Sequence, residues 1–335
     1  MGFSALINSS LAKSTWGKYK SGYNAFACFE ASRCSCSPFP IPVETIRSFV
    51  IWCHFTRNLA PSTIKAYISS LKFIHHIQGF QSSHITEDTL LPLLMKGSGN
   101  LTSQNNPRHN SRRVVTLPVL LTLGSRIASS KWDPLQKQVI WSACTTGFFG
   151  SFRMGELLAP TESNFSPTTH LTWNDVRASS PTSILIRISQ PKSGEPGGEY
   201  VDLFPFLGFH CCPVLALKNL REKQQAQGMT DDTLPVFRFT DRKYLTMHTL
   251  NQILASLLQD MCTTGINTIS CHSFRAGIPS TLSLFPDLAT SDLIKGWGRW
   301  HSDCYQRYTR LKLPQKLNIF EKITTALHTV ADSPP

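Results

Sequence analysis

The stretch GRWHSDCYQRYTR, residues 298–310, decides how this chain is read. It sets Trp300 about two helical turns ahead of Tyr308, which Thr309 and Arg310 follow. Tyr305 lies one turn before Tyr308 on the same helical face. A tyrosine ordinarily packs its ring and satisfies its hydroxyl. Its other use is to attack phosphorus, and that needs help. A free phenol has a pKa near ~10, so forming phenoxide at neutral pH costs roughly 4 kcal/mol. Neighbouring cations lower that cost. The reading of this segment therefore depends on the arginines, lysine and histidine that the rest of the chain supplies.

Working outward, CHSFRAG at 271–277 places His272 and Arg275 at the spacing that shares one helical face. Further upstream, SILIRIS at 183–189 reads as a strand, KSGEPGG at 192–198 as its turn, and 199–204 as a hairpin partner, which sets Lys192 at the turn. Upstream again, TTGFFGSF runs into Arg153-Met154-Gly155-Glu156-Leu157. Taken singly, each has an ordinary reading: a surface Arg–Glu helix pair, a solvated turn lysine, a common H-x-x-R. Together they supply what phosphoryl transfer by a tyrosine requires. Two arginines can clamp the non-bridging oxygens with planar, bidentate hydrogen bonds. Preorganised charge of this kind is usually the largest catalytic contribution. Neither a metal ion nor a nucleotide cofactor is required.

The residues Arg153, Lys192, His272, Arg275, Trp300 and Tyr308, in this order and these local contexts, resemble the tyrosine recombinases, the Cre-like and phage-integrase-like family. The resemblance covers nearly the whole chain. It implies a mainly α fold with a small antiparallel β-sheet: an N-terminal helical core-binding (SAM-like) domain and an α+β catalytic domain. It implies that Arg153 and Arg275 clamp the phosphate and that Lys192 protonates the leaving 5′-hydroxyl. It further implies that His272 aids proton transfer, that the Trp300 indole donates to a phosphate oxygen, and that Tyr308 is the nucleophile, with Tyr305 its rival. Glu156 would hold the site together through an ion pair, and His301, beside Trp300, competes for that position. The wording GFFGSFRMGEL and WGRWHSDCYQRYTR is most similar to recombinases of eukaryotic mobile elements of the crypton and DIRS/Ngaro kind.

The domains are expected at 1–96, a helical clamp, and 114–335, the catalytic part. Between them 97–113, GSGNLTSQNNPRHNSRR, loses apolar periodicity and has linker composition. In the clamp, apolar and aromatic residues recur at helical spacing over 10–33 (Leu11, Trp16, Tyr19, Tyr23, Phe26, Phe29), over 43–57 (Ile46, Phe49, Val50, Cys53) and in the stretch that Pro61 opens (Ile64, Ile68, Leu71 and Ile74 or His75), and Thr86 is expected to open a fourth helix through Met95. Lys13, Lys18, Lys65, Ser69, Lys72 and Lys96, with Arg112 and Arg113 at the linker's end, are the candidate contacts to a DNA backbone. A terminal amphipathic helix, about 315–330, carries Leu317, Ile319, Phe320, Ile323, Leu327 and Val330 and is expected to dock on a neighbouring protomer.

Composition agrees. The 335 residues suit two domains and carry a formal net charge of +12, which favours a polyanionic partner. The ten cysteines form no C-x-x-C pair, which argues against a zinc ribbon and for free thiols in a reducing compartment. No apolar run reaches membrane-spanning length and the start lacks a secretion signal, so an intracellular protein is expected, nuclear if the host is eukaryotic. The expected partners are double-stranded DNA and further copies of the chain, a dimer per site and a tetramer on two duplexes. Two other readings stay open: a DNA-binding protein descended from such an enzyme but no longer catalytic, and a type IB topoisomerase-like enzyme.

Overall fold

The computed structural model describes residues 6–7, 9–11, 13–105, 114–189, 198–206, 208, 210–261, 269–282, 290–299 and 313–331. Their contacts fall into two units, Met1–His109 and Asn110–Pro335.

The first unit is helical: α1 (Lys13–Ser32), α2 (Val43–Phe55), α3 (Pro61–Ile77) and α4 (Leu90–Asn105). Pro61 opens α3 at its first turn, where a missing N–H costs nothing. The 3.6-residue stripes named in the sequence become the core: Phe26 and Phe29 meet Ile46, Phe49 and Val50, and Ile64, Ile68 and Leu71 close it. Two expectations change here. The fourth helix does not begin at Thr86. Ser83–Thr86 is a separate single turn, and Asp88 restarts the chain by accepting the Leu91 N–H at 2.6 Å. The segment read as linker is helical to Asn105. Its polar residues are held locally, since the Thr102 and Ser103 hydroxyls donate to the carbonyls of Ser98 and Gly99, and the Ser98 hydroxyl meets the His54 ring at 3.0 Å. Apolar periodicity is absent there because few of these residues enter the core.

The second unit is built around α6 (Pro134–Phe149), which follows α5 (Leu117–Ser129). Asp133 caps α6 by accepting from Leu135 and Gln136 at 2.9 Å, and Gln136 returns the bond in a capping box. Every residue from Ser142 to Phe149 is buried. A helix apolar all round must be covered on all sides. α7 (Pro213–Ala226) lies along it, with the Ser142 hydroxyl donating to the Ala216 carbonyl at 2.8 Å. Three antiparallel strands, β1 (Val176–Ala178), β2 (Ile184–Ile188) and β3 (Glu199–Leu203), form a sheet in the order β1-β2-β3. The sequence had suggested only the β2–β3 hairpin. β2 alternates, with Ile184, Ile186 and Ile188 inward and Arg187 outward on Asp175. Register pairs Ile188 with Glu199. Gly198 has φ +88°, and a Cβ there would stand 2.5 Å from the Ile188 carbonyl oxygen, so only glycine closes this hairpin base. A two-stranded ribbon, Arg238–Thr240 with Lys243–Tyr244, leads into α8 (Met247–Leu257).

The remaining described α-helices of more than one turn are α9 (Gly277–Leu282), α10 (Ser291–Gly298) and α11 (Leu313–Ala331). α11 buries Phe320, Ile323 and Leu327 in its own unit. Phe320 meets the rings of Phe204 and Trp297, at centroid distances of 5.1 and 6.1 Å. The helix expected to reach a neighbour is thus seated, in this chain, on the domain that carries it.

Candidate active site

The site begins where α6 ends. Its last turn closes in a Schellman arrangement: the Ser151 N–H bonds to the Phe148 carbonyl at 3.2 Å and the Phe152 N–H to the Gly147 carbonyl at 3.1 Å. The left-handed residue in that motif is Ser151, φ 48°, although glycine stands beside it at Gly150. The turn leaves the Ser151 carbonyl for Arg275 and Arg299 and delivers Arg153 to the head of a one-turn helix, Met154–Leu157. Glu156 folds back from that turn. Its carboxylate accepts from the Arg153 backbone N–H at 2.9 Å and from the Arg153 guanidinium at 2.8 Å.

The second element arrives through CHSFRAG. Ser270 and Ser273 form a capping box around the 3₁₀ turn Cys271–Phe274. Cys271 and Phe274 face inward, His272 is exposed, and Arg275 is buried at 8% exposure. Gly277 lets this segment press on α6, because a Cβ there would lie 2.5 Å from the Phe148 ring. That approach carries Arg275 to the end of α6, where its Nη1 donates to the Ser151 carbonyl at 3.4 Å. Its Nη2 donates to the carbonyl of Arg299 at 3.0 Å.

Arg299 is the residue the sequence reading missed. It ends α10 in the left-handed region, φ 50° and ψ 45°, next to Gly298. Its guanidinium is 9% exposed and lies 4.9 Å from the Phe152 ring centroid. It donates to Glu156 Oε2 at 2.8 Å and to the Ser151 carbonyl at 3.2 Å, and it stands 3.5 Å from Glu199 Oε2 at the hairpin base. The signal was present in the Gly-Arg-Trp of the opening motif, but a side chain flanked by a glycine and a candidate catalytic tryptophan reads as a connector.

Three arginines thus share two carboxylates and one carbonyl. Burial pushes the Glu156 carboxyl up, but Arg299 and Arg153 outweigh it and hold the group below the usual range. Arg275 is pushed down to about 10, by burial first and then by Arg153 and Arg299. The cluster therefore holds positive charge in excess. Arg299 Nε is buried without a hydrogen-bond partner, and Nη1 is buried with only the ion pair to Glu199. Such an arrangement is complementary to a tetrahedral oxyanion.

Arg153, Glu156 and Arg275 are brought together, and His272, three residues before Arg275, is the exposed residue of an otherwise buried turn. Lys192, Trp300, His301, Tyr305, Tyr308, Arg112 and Arg113 lie outside the described residues, as does the side chain of Lys13. Lys192 falls in the segment joining Ile188 to Glu199. In the first unit Lys18, Lys65, Ser69 and Lys96 are exposed and Lys72 is half-buried. Lys65, Ser69 and Lys72 share one face of α3, and the Ser69 hydroxyl donates to the Lys65 carbonyl at 3.0 Å. Among the described residues no group of three or more His, Cys, Asp or Glu is placed to hold a metal ion. No described helix is long and apolar enough to cross a membrane.

No family model matches the sequence, and no curated protein matches it. Solved structures do match its shape. A lambda integrase dimer bound to a COC′ core site is 14% identical, with TM-score 0.54 over 90% of this chain and 72% of that one. Lambda integrase residues 75–356 bound to DNA is 12% identical, with TM-score 0.51 over 92% and 96%. The XerH recombinase on a palindromic difH substrate, after cleavage, is 14% identical, with TM-score 0.50 over 84% and 73%. The fold, mainly helical with small antiparallel sheets, is the one that these tyrosine recombinases carry.

Proposed function

We propose that this chain is a site-specific DNA recombinase that cuts and rejoins strands through a 3′-phosphotyrosyl intermediate. The observation that carries the reading is the over-charged cluster of the half-buried Arg153 with the buried side chains of Arg275 and Arg299 around Glu156 and the Ser151 carbonyl. A structural ion-pair network would balance its charges, whereas this one is arranged to receive an anion.

In the proposed reaction the Tyr308 phenol gives up its proton, with His272 aiding its transfer to solvent, and its oxygen bonds to phosphorus while the P–O5′ bond breaks. Lys192 gives the leaving oxygen its proton, producing a free 5′-hydroxyl. Arg153 and Arg275 hold the non-bridging oxygens, where charge develops. Trp300 donates to the same phosphate and His272 assists proton movement. Reversal with a hydroxyl from another duplex completes strand exchange and conserves bond energy, so no nucleotide is consumed. The basic face of α3, with Lys65, Ser69 and Lys72, is assigned to the DNA backbone. A dimer per site, a tetramer on two duplexes, a mobile-element origin and, in a eukaryotic host, a nuclear location belong to the same proposal.

The test begins with a randomised duplex pool, from which the protein selects its preferred sequence. A nicked duplex of that sequence is then incubated with protein and run on a denaturing gel. Wild type gives a covalent band, Tyr308→Phe gives none, and Tyr305→Phe retains it. A band surviving in Tyr308→Phe but lost in Tyr305→Phe moves the nucleophile one turn back. Absence of any wild-type band leaves a DNA-binding descendant of such enzymes as the better account. Relaxation of supercoiled plasmid without pairing of two duplexes favours the topoisomerase-like alternative.

A further inference from the structure

We propose that Arg299 is a positioning residue that sets Arg153, Arg275 and the β2–β3 hairpin into one phosphate-binding unit; this rests on the strand-transferase reading above. Four contacts carry it. The guanidinium bonds Glu156, whose other oxygen holds Arg153. It shares the Ser151 carbonyl with Arg275. The Arg299 carbonyl accepts from the second arm of Arg275, so backbone and side chain of one residue hold the same partner. Its free arm faces Glu199, the first residue of β3, across from which β2 ends and the segment with Lys192 begins.

The backbone adds an independent observation. Arg299 occupies a left-handed conformation that costs a non-glycine residue about 1 kcal/mol, while Gly298, which would adopt it freely, is the neighbour. A turn built only for shape would put glycine at 299. Chain geometry here is subordinate to where the guanidinium must go. Three cations at one locus repel and need acceptors to orient them; Arg299 shares each of the two acceptors with one of the other arginines, Glu156 with Arg153 and the Ser151 carbonyl with Arg275. Arg299 also lies immediately before Trp300, so the residue that orders the clamp sits at the start of the segment bearing the candidate nucleophile.

Arg299→Gly is the informative variant because glycine keeps the left-handed turn. Its thermal midpoint is checked first to establish folding. On the selected nicked duplex, the cleavage rate is expected to fall roughly 30-fold or more while duplex affinity stays within about threefold. Arg299→Lys, which restores the charge without the fork, should recover part of the rate. The same rates are then measured with a methylphosphonate at the cleavage position, which removes the charge that the clamp neutralises. The defect of Arg299→Gly should shrink on that substrate in parallel with the defect of Arg275→Met. An equal defect on both substrates means a merely structural role and overturns the proposal.

A second arm needs no cleavage. Arginine side-chain N–H spectra of the whole chain are titrated with inorganic phosphate. Arg153 and Arg275 should respond together in wild type, and Arg299→Gly should weaken phosphate binding by about tenfold. Unchanged phosphate affinity with an unmoved Arg275 signal overturns the assignment. A wild-type protein that binds phosphate through these arginines yet never forms a covalent band sinks the strand-transferase reading and leaves Arg299 judged on this arm alone.

Discussion

His75 in the first unit and Arg275 in the second are both polar side chains taken out of water, but their surroundings differ in kind. His75 is fully buried and every valence is used. Its Nε2 accepts from the Ile41 N–H at 2.9 Å, and its Nδ1 meets the Leu71 carbonyl at 2.7 Å. The Ile41 group can only donate and the Leu71 group can only accept, so the ring is neutral with its proton on Nδ1. Arg275 sits among like charges, with Arg299 beside it, whose Nε makes no hydrogen bond and whose Nη1 has only the Glu199 carboxylate at 3.5 Å. A closed network specifies a fold, because each member satisfies another. An open, over-charged one costs stability and is kept where a ligand supplies what is missing.

The strongest way to break this contrast is Glu156→Ala. Removing one partner of a buried ion network costs roughly 3–5 kcal/mol, and here three cations would be left with Glu199 alone. Chemical denaturation of the second unit should show that loss. Inorganic phosphate should restore part of it, because an added anion replaces the lost carboxylate. A loss that phosphate does not touch would mean that the cluster is closed after all.

Next in size is His75→Leu. It orphans the buried Ile41 N–H, while the Leu71 carbonyl keeps its helical partner, at a cost of about 2 kcal/mol, read from the denaturation of the first unit, with no response to phosphate. The wild-type unit should also be acid-sensitive. Burial, joined by His84 and His76, lowers the His75 pKa in the folded state. The unfolded chain therefore binds more protons, and stability is full above the ordinary histidine range near ~6.5 and declines as pH falls below it. His75→Leu should flatten that slope. A slope unaltered by the substitution would assign it elsewhere.

Phosphate itself gives the third comparison. Excess ligand should raise the unfolding midpoint of the second unit by mass action, about 2.7 kcal/mol at a hundredfold excess over Kd. The first unit should not respond. Arg275→Met should remove the effect, and an equal rise in that variant would place the anion elsewhere.

The smallest expected effect is Ser151→Gly. Glycine relieves the left-handed strain, worth about 1 kcal/mol, against a similar entropic cost in the unfolded chain. Stability should therefore change by less than ~1 kcal/mol, while the carbonyl that binds both arginines is kept. A large loss, seen by the same denaturation, would show that the Ser151 side chain contributes more than its carbonyl.

The same contrast explains what the sequence made legible. Apolar periodicity announces cores, so Ile64, Ile68 and Leu71 were readable as a stripe; SILIRIS was readable as a strand, whose inward row is Ile184, Ile186 and Ile188. Periodicity is silent about polar contacts. The helix continuing to Asn105 carries Ser98, Thr102 and Ser103, whose hydroxyls bond the His54 ring and the helix's own carbonyls, in place of an apolar face, so it read as a linker. β1 is three residues long, half-buried to exposed, and carries no alternation to find. In the site, Arg153, Glu156 and Arg275 were named because their spacing matches a family pattern. Arg299 was not, because its importance comes from a left-handed turn that sequence assigns by default to the glycine beside it. The segment with Trp300, Tyr305 and Tyr308, which decided the reading, lies outside the described residues, as does Lys192.

The seat of α11 has an energetic consequence of its own. Phe320, Ile323 and Leu327 are each worth about 1.5–3 kcal/mol on burial. A seat lined by Phe204 and Trp297 is therefore costly to leave empty in water. Should two copies trade this helix, each would give up and receive the same contacts, and the enthalpies would cancel. The balance would then be set by how often a second copy is near, that is, by effective concentration. Two molecules brought side by side on one stretch of polymer would cross that threshold without any new interface being made.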